Sequence, residues 1–484
     1  MRRKEKAMPK IVFIEPKAPN LHIFSQFQLP RLGLFILGTI AKQEGWDVDI
    51  IVEESQVLSF SRFRDADLVG ISTITSTAPR AYAIADRLRA SGVPVILGGP
   101  HVTFLPDEAL EHADYTVRGE GESALRAFLR AWETGGNVSS IPNLSHRTID
   151  GRIVHNPMGA PETDLDRIPY PAFSVMRHSI RRAAGKRIIP VQTSRGCPFD
   201  CAFCSVTGIF GKSYRHRSTD NVMEELRQYD DPRNFVFFYD DNFTADRERA
   251  KVLLRAMIEE RFRFKWSTQV RIDAAKDSEL VRLMKMAGCF TLFIGLESVN
   301  PASLVSMKKH QTVEDMESAL RVFRRQRIHV HGMFVYGFDE DDWDTVERTV
   351  AFAKKNRLTS TQFLILTPLP GSELYDRMVA QKRIQFGDWS LYDAHHAVFQ
   401  PANLSMFDLQ RAQIYSHRQF YSFAEMGKKW IQGRWMALSL ARYAWALNRL
   451  WQKRNATFLK VIDLLRPKRD VRISVDYREN VLLD

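Results

Sequence analysis

Three of the chain's four cysteines fall within eight residues, as Cys197, Cys201 and Cys204 in the run Ser194-Arg-Gly-Cys-Pro-Phe-Asp-Cys-Ala-Phe-Cys204. Soft thiolates at such spacing favour an iron–sulfur cluster or zinc. A structural zinc site takes four protein ligands as a rule, and no fourth cysteine or histidine stands nearby. His216 lies twelve residues beyond Cys204, and Cys289 falls in an Ala287-Gly-Cys-Phe turn into a later strand. Three ligands on a four-iron cluster leave one iron open for a substrate or cofactor; a zinc knuckle stays the alternative at this point. Four cysteines in 484 residues cannot form a disulfide framework.

Such a loop needs a scaffold. Strands are expected at Ile189–Thr193, Phe235–Tyr239, Trp266–Val270, Thr291–Leu296, Val330–Tyr336 and Phe363–Leu366. Helical patterns lie between them, as at Asn221–Tyr229, Arg247–Glu260, Ser278–Ala287, Val313–Gln326 and Trp343–Asn356. Strand and helix alternating in this way predict a partial or full β/α barrel, with the cysteines just after its first strand. Upstream, strands at Ile11–Ile14, Val48–Val52, Leu68–Ser72, Val93–Leu97 and Tyr115–Val117 alternate with helices at Arg31–Gln43, Pro79–Ala90 and Asp107–His112. That is the pattern of a doubly wound, Rossmann-like α/β domain, which binds ligands at the C-terminal ends of its strands. The expected organisation is an α/β domain over 1–140, a Pro- and Gly-rich linker over 141–185 with a hairpin at Arg147–Val154, a barrel over 186–400 and a helical region over 401–484. A last strand signal sits at Val471–Val475.

The C-x3-C-x2-C spacing, with the aromatic Phe203 before the last cysteine, resembles the radical S-adenosylmethionine superfamily over roughly 187–400. The resemblance implies a [4Fe–4S] cluster on Cys197, Cys201 and Cys204, whose open iron chelates S-adenosylmethionine. Later segments match family landmarks. Phe238-Tyr-Asp-Asp-Asn-Phe243 implies Asp240, Asp241 and Asn242 near the methionine amino group, with Asn242 or Thr244 also able to cap the following helix. Ile294-Gly-Leu-Glu-Ser298 implies Glu297 at the ribose, or else in a salt bridge to Arg271. Val335-Tyr-Gly-Phe-Asp-Glu340 implies Gly337 beside adenine, and Thr367-Pro-Leu-Pro-Gly371 resembles the closing loop.

The first domain carries Val69-Gly-Ile-Ser72, Leu97-Gly-Gly-Pro-His101 and Val117-Arg-Gly-Glu-Gly-Glu122, and resembles the cobalamin-binding domain placed before such barrels. Ser72, Thr73, Gly98 and Gly99 would then admit the nucleotide tail of the cofactor. A nucleotide-binding domain is the alternative, but neither G-x-G-x-x-G nor G-x4-G-K-[ST] occurs. The run Asn20-Leu-His22-Ile-Phe-Ser25 departs from the D-x-H-x-x-G pattern of domains that ligate cobalt from below, so the lower ligand stays open.

Both resemblances together imply a reduced cluster that releases a 5′-deoxyadenosyl radical, and methylcobalamin that methylates the resulting substrate radical. A non-methylating cyclase or oxidoreductase is the alternative outcome; a non-catalytic cobalamin or redox-binding protein is the competing class. An electron donor such as flavodoxin or ferredoxin is the implied partner.

The net charge of +12 is concentrated late: Glu425 to Asp470 hold eleven Lys/Arg against three Asp/Glu. Trp430, Trp435, Trp445 and Trp451 are interleaved with them. Basic and aromatic residues on one helical stretch suggest an interfacial helix on anionic lipid or a helical cap on the barrel, and a hydrophobic substrate such as a lipid, terpenoid or tetrapyrrole. No base-reading module is evident, so nucleic acid is not expected. His395 and His396, in Asp388-Trp-Ser-Leu-Tyr-Asp-Ala-His-His396, face either substrate or a surface loop. With no run of about 18 apolar residues and a basic start followed by only four, Ile11 to Ile14, a cytoplasmic protein, peripheral to the membrane at most, is expected.

Overall fold

The computed structural model describes residues 8–20, 29–148, 150–175, 182–183 and 185–465. Near-continuous apolar runs make its strands, as expected where helices cover both faces of a parallel sheet. In the first sheet these are β1 (Lys10–Glu15), β2 (Asp47–Val52), β3 (Leu68–Ser72), β4 (Val95–Gly98) and β5 (Tyr115–Val117). Their order is β2-β1-β3-β4-β5, continued by an antiparallel hairpin of β6 (Leu144–Arg147) and β7 (Ile153–His155). The sequence reading had set that hairpin in a linker; it extends the first sheet, because Leu144 pairs with Val117 and buries its side chain in the same core. The order reverses between β1 and β3, so the topological switch point, where doubly wound sheets bind ligands, lies at Glu15 and Ser72.

The second sheet holds β8 (Arg182–Ala183) and β9 (Lys186–Val191). After a two-stranded excursion of β10 (Ser194–Arg195) and β11 (Arg215–His216), it continues with β12 (Asn234–Phe238), β13 (Lys265–Val270), β14 (Cys289–Glu297), β15 (His329–Tyr336) and β16 (Ser360–Ile365). Six of these run parallel from β9 to β16, with β8 antiparallel at the edge, which makes a partial barrel. The six expected strands are all present, with ends shifted by up to three residues. Val236, Phe238, Trp266, Leu292, Ile294, Phe334 and Phe363 pack into the main core with the surrounding helices. The residues between them, Phe237, Phe293 and His331, meet on the opposite face of the sheet, at 5.6 Å and 5.0 Å between ring centroids.

Caps fix where the barrel helices begin. The helix Arg247–Glu260 is capped by Asp246, whose side chain accepts from the Arg249 N–H, and not by Asn242 or Thr244, which bond each other. Four helices follow from Met406: Met406–Phe420, Phe423–Ile431, Trp435–Arg454 and Ala456–Leu464. The strand signal at Val471–Val475 lies outside the described residues. No described helix is long and apolar enough to cross a membrane.

Candidate functional site

β9 ends at Val191, and the chain then turns out through β10, runs past all three cysteines and returns through β11, where Ser194 pairs with His216 and Arg195 with Arg215. Gly196 makes the exit at φ +84°, where a Cβ would strike the Ser213 carbonyl, so only glycine fits. The Cys204 N–H donates to the Cys201 carbonyl at 3.0 Å, which curls the loop. Arg271 lies over the Phe199 ring at 3.8 Å, and Ala202 bonds backbone to backbone with Met307 and Leu374. Phe203 packs on Phe338 at 6.1 Å.

Burial raises the Cys197 and Cys204 thiols, Cys204 to about 11, and neighbouring Asp241 and the other cysteines push the same way. Asp241 is itself raised to about 6 by burial and by Asp240. Among the described residues, no three His, Cys, Asp or Glu side chains are grouped to hold one metal ion. A four-iron cluster asks less of the trio, since each thiolate takes its own iron. Three half-buried thiols on one loop beside the Asp241 carboxyl fit a cluster, since thiolates form on binding metal.

Asp240 has a different task. Its carboxylate accepts from Thr193 N, Ser194 N and Thr193 Oγ1 at 2.7, 2.9 and 2.5 Å, so it holds the root of the cysteine loop. Asn242 is buried and accepts from the Thr244 hydroxyl. At the end of β14, Glu297 adopts φ +62° and pairs with Lys309 at 2.7 Å. The partner considered from sequence, Arg271, instead donates to the Lys309 carbonyl and reaches Asp273. A Cβ on Gly295 would strike this pair; the glycine lets the ions lie on bare backbone. A strained non-glycine backbone at a strand end is the kind of feature that collects at functional sites. Gly337, at φ +118°, packs against Leu409, Phe399 and Leu366, and its N–H is taken by Asp341.

In the first domain, Arg31 donates to the Ser72 carbonyl at 2.8 Å and reaches its hydroxyl, while its own N–H meets Glu15. The Thr73 hydroxyl donates to the Gly98 carbonyl at 3.0 Å. Gly99 sits at φ +110°, and a Cβ there would strike the Thr73 carbonyl; beside Gly98 the nearest atom is the Val117 carbonyl at 4.0 Å. This bare-backbone cradle fits the flank of a large cofactor. His22 lies outside the described residues.

Two acids, Glu120 and Glu122, tie the halves together against the buried Arg195 and Arg215. Glu120 bonds both Arg195 and Arg215, and Glu122 bonds Arg195 at 2.5 Å. The Arg-Gly-Glu-Gly-Glu run of the first domain therefore grips the very hairpin that carries the cysteines. Past β16, Trp389 donates to Glu108 at 3.1 Å and Asn20 to the Ser390 carbonyl at 3.0 Å. Tyr239 stands between the sites. It keeps 36% of its surface open, although burial raises its hydroxyl, with Arg31, Glu15 and Asp241 all in electrostatic range.

Comparison with known proteins agrees with this geometry. Residues 191–353 match the Radical SAM superfamily and residues 24–129 the B12 binding domain. An uncharacterised methyltransferase of Pyrococcus horikoshii is 31% identical over 405 residues, which are 81% of this chain and 88% of that protein. The chain belongs to the radical S-adenosylmethionine enzymes that carry an N-terminal cobalamin-binding domain. Bacteriochlorophyllide d C-12(1)-methyltransferase of Chlorobaculum tepidum is 28% identical, covering 89% of this chain and 91% of its own. At 25% stand an anaerobic magnesium-protoporphyrin IX monomethyl ester cyclase of Rubrivivax gelatinosus, covering 79% and 70%, and a hopanoid C-2 methylase of Rhodopseudomonas palustris, covering 83% and 77%. The fold is that of the methyltransferase TsrM of Kitasatospora setae, with a TM-score of 0.64 at 20% identity over 77% of this chain and 75% of that one.

Within this radical S-adenosylmethionine chain, the sequence reading missed Tyr239, Lys309 and the two glutamates of the clamp. Tyr239 was visible as the aromatic between Phe238 and two aspartates. Lys309 had no signal, since its partner is reached only through the bulge that re-registers β14 after Gly295. His395 and His396 are buried, not on a surface loop: His396 lies between Asp393 and Asn455, and His395 meets Gln413.

Proposed function

We propose that this enzyme transfers a methyl group to an unactivated carbon of an apolar ring-bearing substrate, of tetrapyrrole or polycyclic lipid type. When bound, the [4Fe–4S] cluster on Cys197, Cys201 and Cys204 would supply an electron to S-adenosylmethionine, and cobalamin would carry the methyl group. One observation carries the reading: the cysteine hairpin is joined by the Glu120 and Glu122 ion pairs to the domain that holds the glycine cradle, so the two sites are held in one arrangement. Glu297, steadied by Lys309, offers a carboxylate to the ribose hydroxyls. Asp241 offers the carboxylate, and the Phe238–Phe243 segment the carbonyls, for an amino group. Ser72, Thr73, Gly98 and Gly99 form the floor under the corrinoid flank. Tyr239, Phe237 and Phe293, whose rings meet in turn, give an aromatic wall that suits a flat apolar body.

The methyltransferase names of most of the relatives above support methylation over cyclisation; the cyclase of Rubrivivax gelatinosus is the ground for the second reading. An electron donor of flavodoxin or ferredoxin class and a peripheral membrane contact through the C-terminal helices complete the proposal. The test is anaerobic turnover with methyl-labelled S-adenosylmethionine and a candidate tetrapyrrole or hopanoid. Label in the product and deoxyadenosine formed with it are expected, and Cys201→Ala should abolish deoxyadenosine formation, since it removes a cluster ligand. Unlabelled, cyclised product would establish the second reading.

A further inference from the structure

The helix Phe423–Ile431 is inside out. At roughly 100° per residue, Phe423, Gly427, Trp430 and Ile431 share one arc, and that arc faces solvent: Phe423 is 69% exposed, Trp430 61% and Ile431 77%. Trp435, at the start of the next helix, is 61% exposed. Among the described residues, no other Phe or Trp ranks as exposed. The inward side carries Met426 and Lys429, both buried, with the Lys429 ammonium 4.9 Å from the Phe420 ring centre. A helix on a globular core normally presents the reverse.

Cations border this apolar arc. Lys428 lies at its edge, and Trp435, Arg442, Arg449 and Lys453 follow at helical spacing along one exposed stripe of the next helix. The two faces join where Arg449 covers Trp445 at 5.0 Å and Trp445 meets Phe423 at 5.0 Å. Burial, together with Arg434, Lys354 and Lys428, lowers Lys429 to about 8 against the pull of Glu425. Burial with Arg357 and Arg324 lowers Arg434. Positive charge is crowded here.

Trp and Phe beside Lys and Arg is the composition of segments that sit at the level of lipid headgroups. A protein interface would place its apolar centre under a mixed polar rim, whereas here the rim is mostly cationic, with Glu425, paired to Lys428 at 2.9 Å, its one acid. We infer that Phe423, Trp430, Ile431 and Trp435 insert into the interface of an anionic bilayer, with Lys428, Arg442, Arg449 and Lys453 on its phosphates. The inference deepens the membrane contact proposed above and rests on that part of the reading alone. It places the enzyme where an apolar substrate is concentrated.

The full chain, loaded anaerobically, is sedimented with phosphatidylcholine vesicles with and without phosphatidylglycerol. Binding should rise at least about tenfold with phosphatidylglycerol and fall with salt. The double variant Trp430→Ser/Ile431→Ser should lower it about tenfold, and Arg442→Gln/Arg449→Gln should remove most of the salt dependence. Deoxyadenosine formation without lipid should be unchanged in both variants, which shows that they fold and separates this test from that of the chemistry. Vesicle binding equal in wild type and Trp430→Ser/Ile431→Ser overturns the inference. So does a dimer in solution that this variant dissolves while wild type ignores vesicles, because the face then belongs to a second copy.

Discussion

The strand ends of the two sheets solve opposite problems. At the strand ends of the first domain the acids have arginine partners, Glu53 beside Arg80 and Glu15 near Arg31 although burial still raises the Glu15 carboxyl, and the Thr73 hydroxyl is taken by the Gly98 carbonyl. What remains is a smooth floor of backbone, suited to a bulky body held by shape. In the barrel, the strand ends and the adjoining cysteine loop keep Asp241 raised to about 6 and two thiols raised by burial. That half is incomplete without added positive charge. On the proposed function, one site would recognise by contour and the other by electrostatics, with the glutamate clamp joining them.

The contrast can be broken at the contour site first. Gly99→Val forces a branched side chain into a left-handed position and against Thr73, so bound corrinoid should fall by more than about 100-fold. Iron content and deoxyadenosine yield should stay near wild type; equal loss of both would show that the sites do not divide as described. Glu120→Gln attacks the connection. It leaves Arg195 and Arg215 buried with one carboxylate fewer, a change that costs about 3–5 kcal/mol where a buried pair is broken. Chemical denaturation should show that loss, and product methylation should fall further than deoxyadenosine formation as the halves lose register.

The smallest effect is in pH. Burial lowers His331 and His417 to about 4, so the unfolded chain binds protons that the fold refuses. Their contribution is present above about 6.5 and is lost as pH falls towards 4, at up to about 3 kcal/mol each. His417→Gln should flatten the acid side of the stability curve, measured by thermal melting between those limits.

Much of the scaffold was legible because parallel buried strands are continuous apolar runs, and Ile11–Ile14 or Val330–Tyr336 can hardly be anything else. The cysteine loop was legible from spacing alone. What local sequence could not give was partnership across distance. Glu120 read as part of a glycine-rich turn, yet its partners are 75 and 95 residues away. Lys309 is adjacent to Glu297 only because a bulge in β14 turns that side chain. The hairpin β6–β7 read as a linker since Pro and Gly crowd around it, and only its pairing with β5 reveals its sheet. The tail read correctly as basic and aromatic, but which arc of its helix faces out depends on Lys429 being buried.

The strap at Trp389 and Ser390 has a bearing on how the chain matures. Trp389 reaches back 281 residues to Glu108, and Ser390 reaches back 370 to Asn20. The clamp on Glu120 can close once β11 has left the ribosome, but the strap has to wait for roughly 175 further residues. At about 5–20 residues per second, that leaves on the order of ten to forty seconds. During that interval the first domain is held by the clamp and not yet by the strap.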